Sequence, residues 1–217
     1  MDVHVTDRAA AFCAAWIGRR LRRAVKRRGL ATLAVSGGST APPMFDLLAR
    51  LVVVPWDSVD IWQVDERVAP DGHPDRNAGQ LADVPGRHHL MPVTSADLRR
   101  AARRYAAGLP DRFDVIHLGV GPDGHTASWP PGDPVIDSDR LVDVSDEYQD
   151  RRRMTLTPSV VNAAPARIVL VTGADKAEAV ADWIGRTDAS ADLPISRVRR
   201  TRTVAVLDPA AATRLDR

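Results

Sequence analysis

The sequence has little cysteine and no long hydrophobic run. Cys13 is the single cysteine among 217 residues, so the chain has neither an internal disulfide nor a Cys-x-x-Cys zinc pattern. The apolar run at residues 9–18 is too short to span a bilayer, and its basic residues follow the run, whereas those of a signal peptide precede it. We therefore expect a cytoplasmic protein with no targeting segment and no membrane partner.

An excess of one charge sign is also nearly absent. The 30 Lys and Arg residues are balanced by 28 Asp and Glu residues, which leaves a formal net charge of +2. A dense basic run at residues 19–28 falls at the end of a predicted helix, where cations suit the helix dipole and a solvated face. This balance does not indicate nucleic acid, and we predict no nucleic-acid partner.

Apolar β-branched stretches alternate with helical patterns along the chain. The alternation predicts an α/β fold, a three-layer α/β/α sandwich with a mostly parallel, Rossmann-like sheet. No repeat or composition break divides residues 1–217, so we predict one domain. The predicted strands are residues 30–35, 59–64, 88–93, 115–120, 140–144, 167–172 and 203–207. The first predicted helix is residues 7–28, with Thr6 as its N-cap and Gly29 as its terminator. Three more helices are predicted to start at Pro42, after a Ser95 cap and after Pro158. Another is predicted to end at Gly185, and a short one to start at Pro209.

A glycine-rich turn follows the strand at residues 115–120. Its glycines, Gly119, Gly121 and Gly124, allow close approach of a ligand to the backbone, and the turn ends at His125. An imidazole in this place can take a proton near neutral pH. The alternative is a tight surface turn with a solvated histidine.

Polar stretches follow three other predicted strands. Residues 36–40, Ser-Gly-Gly-Ser-Thr, lie between a strand and a helix start, which is an arrangement that binds anions, although a plain flexible turn is the alternative. The Gly-Lys-Ser/Thr ending of a Walker loop is missing. Asp65-Glu66-Arg67 ends the next strand, and its arginine is the usual residue for binding phosphate, although a surface ion pair is the alternative. Residues 173–176 follow a later strand.

In a parallel sheet, ligands bind beyond the carboxyl ends of the strands, so these stretches should meet at one edge. That edge would hold an anion cradle, several cations, an acid and a histidine, without a Cys or Ser nucleophile or a metal-ligand set. This combination indicates hydrolysis or isomerisation of a small phosphorylated compound by acid–base chemistry. The formal G-x-G-x-x-G at residues 119–124 does not indicate a dinucleotide, because Pro122 and Pro130 leave no room for the helix that it must open.

These motifs resemble the 6-phosphogluconolactonase family from about residue 5 onwards. The matching stretches are residues 36–40, 64–67 with Pro70 and Asn77, 118–128 (Leu-Gly-Val-Gly-Pro-Asp-Gly-His-Thr-Ala-Ser), 153–157 with 162–164, 173–177 and 193–194. The run at 118–128 is specific, whereas the Ser-Gly-Gly-Ser-Thr loop is shared with glucosamine-6-phosphate deaminases and related sugar-phosphate folds. The resemblance implies hydrolysis of 6-phospho-D-glucono-1,5-lactone in the oxidative pentose phosphate pathway, without a metal or an organic cofactor.

The resemblance also implies roles for individual residues. His125 would be the base that activates water against the lactone carbonyl, and Asp65 and Asp123 would orient the sugar hydroxyls or His125. Arg67 would either join the phosphate site or stabilise the carbonyl oxyanion. The implied phosphate ligands are Gly37, Gly38, Ser39, Thr40, Arg153 and Lys176. The expected partner is a small sugar phosphate, and the expected state is a monomer or weak homodimer.

The sequence departs from the family pattern at three places, Arg76, Trp129-Pro130 and Pro158-Ser159. We expect these departures to change substrate affinity more than the chemistry. Two other functions stay open on the sequence. One is a glucosamine-6-phosphate deaminase-like isomerase, which would use a further carboxylate such as Asp65, and the other is a non-catalytic sugar-phosphate sensor.

Overall fold

The computed structural model describes residues 1–215. In that part of the chain the strands are β1 (Asp2–Val5), β2 (Ala31–Val35), β3 (Val59–Gln63), β4 (Asp65–Arg67), β5 (Arg87–His89), β6 (Val115–Leu118), β7 (Val142–Val144), β8 (Arg153–Leu156), β9 (Arg167–Val171) and β10 (Thr203–Leu207). The α-helices are α1 (Ala9–Arg28), α2 (Pro42–Ala49), α3 (Leu98–Ala107), α4 (Pro158–Ala163) and α5 (Ala177–Gly185). None of these helices has the length and apolar character needed to cross a bilayer.

Seven strands form one sheet with the order β1-β10-β9-β6-β2-β3-β5. All neighbouring strands in it are parallel. The predicted α/β fold with a mostly parallel sheet is therefore confirmed. Strand β1 is an addition that the sequence analysis did not predict, and its four residues are all exposed.

Alternate residues of the central strands face two separate apolar layers, as strand geometry requires. In β2, Leu33 packs in the layer formed with α1 and α2, whereas Ala34 packs in the layer formed with α3 and α5. Strands covered on both sides must be apolar throughout, which is why the sequence shows continuous Val, Ile, Leu and Ala runs there. The predicted three-layer arrangement is confirmed.

A small antiparallel sheet, with the order β4-β8-β7, lies beside the central one. Its strands are only three or four residues long. Asp65 pairs with Thr155 and Arg67 pairs with Arg153 across β4 and β8. The small sheet therefore brings two basic residues together that lie far apart in the sequence.

The strand order reverses between β2 and β6. From β2 the chain proceeds outward through β3 and β5, returns to β6 on the other side of β2, and continues outward through β9. Loops leaving β2 and β6 therefore turn away from each other and open a crevice at the carboxyl edge, where α/β folds bind ligands.

Three predicted helix boundaries are wrong, and at two of them a different polar group satisfies the backbone. Helix α1 begins at Ala9, since the amide of Thr6 donates to Leu207 O and extends the sheet edge. Asp97, not Ser95, caps α3, where its carboxylate accepts from the amide of Arg100 at 2.9 Å. Residues 209–215 form turns and not a helix, although the carboxylate of Asp208 accepts from the amide of Ala211 at 2.7 Å as a helix cap would.

Candidate active site

A cavity of about 370 Å³ opens at this crevice, at the carboxyl edge of the central sheet. Nearly all the residues singled out in the sequence line it, contributed by the segments after β2, β3, β6 and β9 and by the small sheet. These residues are Gly37, Gly38, Ser39, Thr40, Asp65, Arg67, His125, Arg153 and Lys176. Asp123 does not line the cavity but contacts His125 directly.

The loop after β2 is held close to the short 3-10 helix at Asn77–Leu81. A side chain at Gly37 would collide with that of Asn77, so only glycine permits this approach. Gly38 has a φ of +109°, and its amide donates to Gln80 Oε1 at 3.0 Å. Part of the predicted anion cradle is therefore already engaged by a glutamine side chain, which an incoming anion would have to replace.

The glycine-rich turn after β6 holds His125 close to the backbone of the turn. The amide of Gly121 donates to His125 O at 2.8 Å, and Gly124 has a φ of +79°. A Cβ at Gly121 would collide with the imidazole and with Asp123. The turn thus needs glycine at position 121 for side-chain space and at position 124 for backbone conformation.

Asp123 fixes the orientation of the His125 ring. Its Oδ1 lies 2.6 Å from His125 Nδ1 and also accepts from the His125 amide at 3.2 Å. Burial opposes ionisation of Asp123, but hydrogen bonds from His125 and Tyr148 outweigh that effect and hold its pKa well below the usual range. An ionised carboxylate only accepts, so the proton of a neutral His125 resides on Nδ1 and Nε2 is left as the basic atom.

Two residues of the site were not predicted from the sequence, Gln149, which lines the cavity, and Tyr148, which contacts Asp123 and His125 without lining it. The Tyr148 hydroxyl donates to Asp123 Oδ2 at 2.6 Å and lies 3.2 Å from His125 Nδ1. Burial and the carboxylate of Asp123 raise the pKa of this hydroxyl. The only sequence signal is the position of both residues in a polar stretch between two short strands, which is weak because most such stretches are ordinary turns.

Three cationic side chains line the cavity, those of Arg67, Arg153 and Lys176, which we call the cationic wall. Arg153 is 3% exposed, and burial together with the charge of Arg67 lowers its pKa. Lys176 Nζ pairs with Asp175 Oδ2 at 2.6 Å. Arg67 Nη1 donates to Asn77 Oδ1 at 3.0 Å and to Asp75 O at 2.8 Å. Two neighbouring guanidinium groups with little solvent form a natural site for a dianion such as phosphate.

Asp65 is buried at the base of the cavity, and both its oxygens accept hydroxyl hydrogen bonds. Ser36 Oγ donates to Oδ1 at 2.6 Å, and Ser128 Oγ donates to Oδ2 at 2.7 Å. These bonds tie the loop after β2 to the turn after β6. Asp123, and not Asp65, is the carboxylate that contacts His125.

The three departures from the family pattern lie outside the cavity wall. Arg76 is buried and its Nε lies 3.1 Å from Glu66 Oε2. Trp129 is fully buried and donates from Nε1 to Leu156 O at 2.8 Å. Pro158 begins α4. These residues therefore act on the framework that carries the site and do not contact a molecule bound in the cavity.

The cavity thus combines the basic nitrogen of an oriented imidazole with several cationic side chains. These groups suit a polar molecule that carries both an anionic group and an electrophilic carbonyl. Within residues 1–215, no three His, Cys, Asp or Glu side chains come together as a metal-binding group.

Comparison with known proteins identifies the family. A family model described as glucosamine-6-phosphate isomerases/6-phosphogluconolactonase matches residues 5–207. A 6-phosphogluconolactonase of Synechocystis sp. is 36% identical to this chain over 182 residues, which cover 75% of each chain.

Solved structures agree in fold. A 6-phosphogluconolactonase of Thermotoga maritima matches with a TM-score of 0.84 and 22% identity, over 95% of this chain and 98% of that one. A monomeric glucosamine-6-phosphate deaminase matches with a TM-score of 0.86 and 19% identity, over 98% of this chain and 99% of that one. These likenesses describe the fold alone and do not separate the two reactions. On the family model and the sequence relatives together, the chain belongs to the 6-phosphogluconolactonase family, within the glucosamine-6-phosphate isomerase/6-phosphogluconolactonase superfamily.

Proposed function

We propose that this protein hydrolyses 6-phospho-D-glucono-1,5-lactone to 6-phospho-D-gluconate. The observation that carries the proposal is one cavity lined by His125, which Asp123 orients, and by Arg67, Arg153 and Lys176. Membership of the family and the 36% identical relative support the same reaction.

In the proposed mechanism His125 Nε2 takes a proton from a water molecule as the water oxygen attacks the lactone carbonyl carbon. The bond from that carbon to the ring oxygen then breaks, and His125 returns the proton to the ring oxygen. Asp123 accepts from Nδ1–H throughout and stabilises the transient imidazolium. General-base assistance of this kind contributes roughly 10²–10⁴ in rate.

The phosphate would lie against Arg153 and Lys176, with the amides of residues 37–40 completing its shell. We assign Arg67 to the same phosphate, because it faces Arg153 directly across β4 and β8 and their charges repel. A phosphate bound between the two guanidinium groups relieves that repulsion. If Arg67 instead stabilised the carbonyl oxyanion, its charge would stay uncompensated beside Arg153 until that oxyanion formed.

The deaminase-like reaction needs a carboxylate that can move a proton between adjacent sugar carbons. Asp65 is the carboxylate that lines the cavity, and hydroxyl groups of Ser36 and Ser128 already occupy both its oxygens. This favours the lactonase over the isomerase. A sugar-phosphate sensor would bind 6-phosphogluconate without turning over the lactone.

The deciding experiment is lactone hydrolysis by purified protein, corrected for spontaneous hydrolysis, with ammonia release from glucosamine-6-phosphate measured in parallel. We expect lactonase activity that is lost in His125→Asn and no ammonia release. Ammonia release without lactone hydrolysis would identify the isomerase, and product binding without either activity would identify the sensor.

We also propose that residues 1–217 form one domain that acts in the cytoplasm as a monomer or weak homodimer. Pairing of β1 with β10, which joins both ends of the described chain in one sheet, supports the single domain. Sedimentation velocity at several concentrations tests the oligomeric state.

A further inference from the structure

A tight turn at Tyr148–Arg151 carries Tyr148 and Gln149 to the site. The amide of Tyr148 donates to Arg151 O at 3.0 Å, and the amide of Arg151 donates back at 3.3 Å. The central residues Gln149 and Asp150 have φ values of +52° and +60°, as in a type I′ turn. Left-handed backbone is costly for glutamine and persists where surrounding contacts hold it.

Four hydrogen bonds connect the cationic wall to the histidine. Arg153 Nη2 donates to Gln149 Oε1 at 2.9 Å, and Gln149 Nε2 donates to the Tyr148 hydroxyl at 3.1 Å. That hydroxyl donates to Asp123 Oδ2 at 2.6 Å, and Asp123 Oδ1 accepts from His125 Nδ1 at 2.6 Å. Arginine only donates and a carboxylate only accepts, so the direction of this chain of bonds is fixed.

We propose that Tyr148 is a positioning residue for His125 and that Gln149 couples it to the anion bound at Arg153. The kinetic part of this inference rests on the proposed lactonase function, whereas the geometric part does not. An anion that fixes the Arg153 guanidinium also fixes the Gln149 amide, and through it the Tyr148 hydroxyl and Asp123. Phosphate binding then increases turnover at a centre that the phosphate does not touch.

Two further observations fit this role. Among the described atoms, Arg153 Nε is buried without a hydrogen-bond partner, so the donors of this guanidinium are not all used while its Nη2 holds Gln149. The Tyr148 ring packs edge-on against His125 at 5.4 Å, and the Arg153 guanidinium lies 4.9 Å above it. Phenylalanine at position 148 would keep both ring contacts and lose only the hydroxyl.

Tyr148→Phe tests the positioning role. We expect kcat to fall about tenfold, the low end for a lost hydrogen bond to a charged group, while KM changes less than about twofold. The matched control is Tyr105→Phe, since the buried hydroxyl of Tyr105 accepts from the Gln63 amide at 2.9 Å and lies outside the cavity. That variant should lose stability but keep kcat. Unchanged kcat in a folded Tyr148→Phe protein would refute the positioning role.

Gln149→Leu tests the coupling, with unphosphorylated glucono-1,5-lactone as substrate and inorganic phosphate as the probe. In the wild type, phosphate should raise turnover about fivefold, the low end for coupling between two sites, after correction for buffer-catalysed hydrolysis. In Gln149→Leu the activation should disappear. Activation that is equal in both proteins would overturn the coupling.

A proton NMR measurement separates this inference from the proposed function. The low-field resonance of His125 Nδ1–H, assigned with His125→Asn, should shift on addition of phosphate in the wild type and not in Gln149→Leu. This response in a protein without lactonase activity would sustain the coupling and refute the proposed function. No response in an active wild-type enzyme would refute the coupling alone.

Discussion

Arg67 and Arg153 lie directly opposite each other in the antiparallel pair of β4 and β8, and both line the cavity. Placing two guanidinium groups side by side is unfavourable unless an anion joins them. The small sheet therefore brings together two guanidinium groups from residues 86 positions apart in the sequence, which is the arrangement that the proposed phosphate site requires.

We predict that Arg153→Ala weakens binding of 6-phosphogluconate by about 1.5–3 kcal/mol, the range for a hydrogen bond to a charged group. Arg67→Ala should have a comparable effect, and neither variant should alter kcat/KM for unphosphorylated glucono-1,5-lactone more than about threefold. Isothermal titration calorimetry and kinetics on both lactones measure these quantities.

Arg152→Ala is the matched control, because Arg152 is exposed and immediately precedes Arg153 in the chain. It should bind product normally. If Arg67→Ala impairs both lactones equally while product binding is retained, Arg67 acts on the carbonyl oxygen and not on the phosphate.

The second prediction concerns the histidine pair. His125→Asn should lower kcat by at least about 10², the lower edge for loss of a general base, and should bind 6-phosphogluconate within a few-fold of the wild type. Asp123→Asn should also lower kcat, because an amide can stabilise the wrong ring tautomer.

The double variant of Asp123 and His125 should be no slower than His125→Asn, since residues that act as a unit are not additive. Single-turnover kinetics of all three proteins provide the comparison, and His73→Asn, at a histidine that does not line the cavity, is the control. Additive losses would mean that Asp123 has a second role independent of His125.

Gly121→Ala is the third prediction. Its Cβ would occupy the space of the His125 ring, so the imidazole must leave its place beside Asp123. We expect kcat to fall roughly 10²-fold, as for loss of the base itself, with little change in thermal midpoint. Gly185→Ala, where a Cβ meets nothing within 4 Å, should leave kcat unchanged and should not lower the thermal midpoint, because alanine favours a helix over glycine. A Gly121→Ala enzyme with normal turnover would show that His125 need not occupy this position.

The fourth prediction concerns His117, which is fully buried in β6 and not part of the cavity wall. Burial lowers its pKa to about 4, and the backbone of Ser36 offsets only part of that effect. Unfolded histidine has a pKa of about 6.5. The unfolded chain thus binds more protons between these values, and stability must fall as the pH falls through this window.

From pH 7 to pH 5 this group should cost about 2 kcal/mol of unfolding free energy, obtained by integrating the two pKa values. Urea unfolding of the wild type and His117→Leu at both pH values measures it, and the difference between the two proteins cancels the titration of other groups. Equal pH dependence in both proteins would show that His117 does not contribute.

The layered architecture was predictable because both faces of a parallel sheet are covered, which produces apolar runs that end at glycine or proline. The positions of His125 and the loop at residues 36–40 followed from the same logic, because each comes directly after a central strand. Tyr148 and Gln149 did not follow, since they reach the site through a tight turn between two short strands that has glutamine and aspartate, and not glycine, at its left-handed positions. Strands of three or four residues leave almost no periodic pattern, and their pairing is a long-range event.

Helix ends were less predictable than strands because several polar side chains compete for each cap. Thr6, Ser95 and Pro209 are all reasonable residues for a helix start. The amide of Thr6 instead joins the sheet edge, and the carboxylate of Asp97 caps α3 in place of Ser95. After Pro209 only turns follow, although the carboxylate of Asp208 accepts from the amide of Ala211 as a cap would. Sequence shows which residues can cap a helix, and tertiary structure decides which one does.

The edge strand β1 has a consequence for the order of folding. Asp2 pairs with Val204 and Val5 with Leu207, so β1 finds its partner only after β10 has been synthesised. Until then its residues have no neighbour in the sheet, and the long loop that must close makes this a late step. We expect β1 to join last during synthesis and to be the first part of the sheet to exchange its amide hydrogens when the native protein opens.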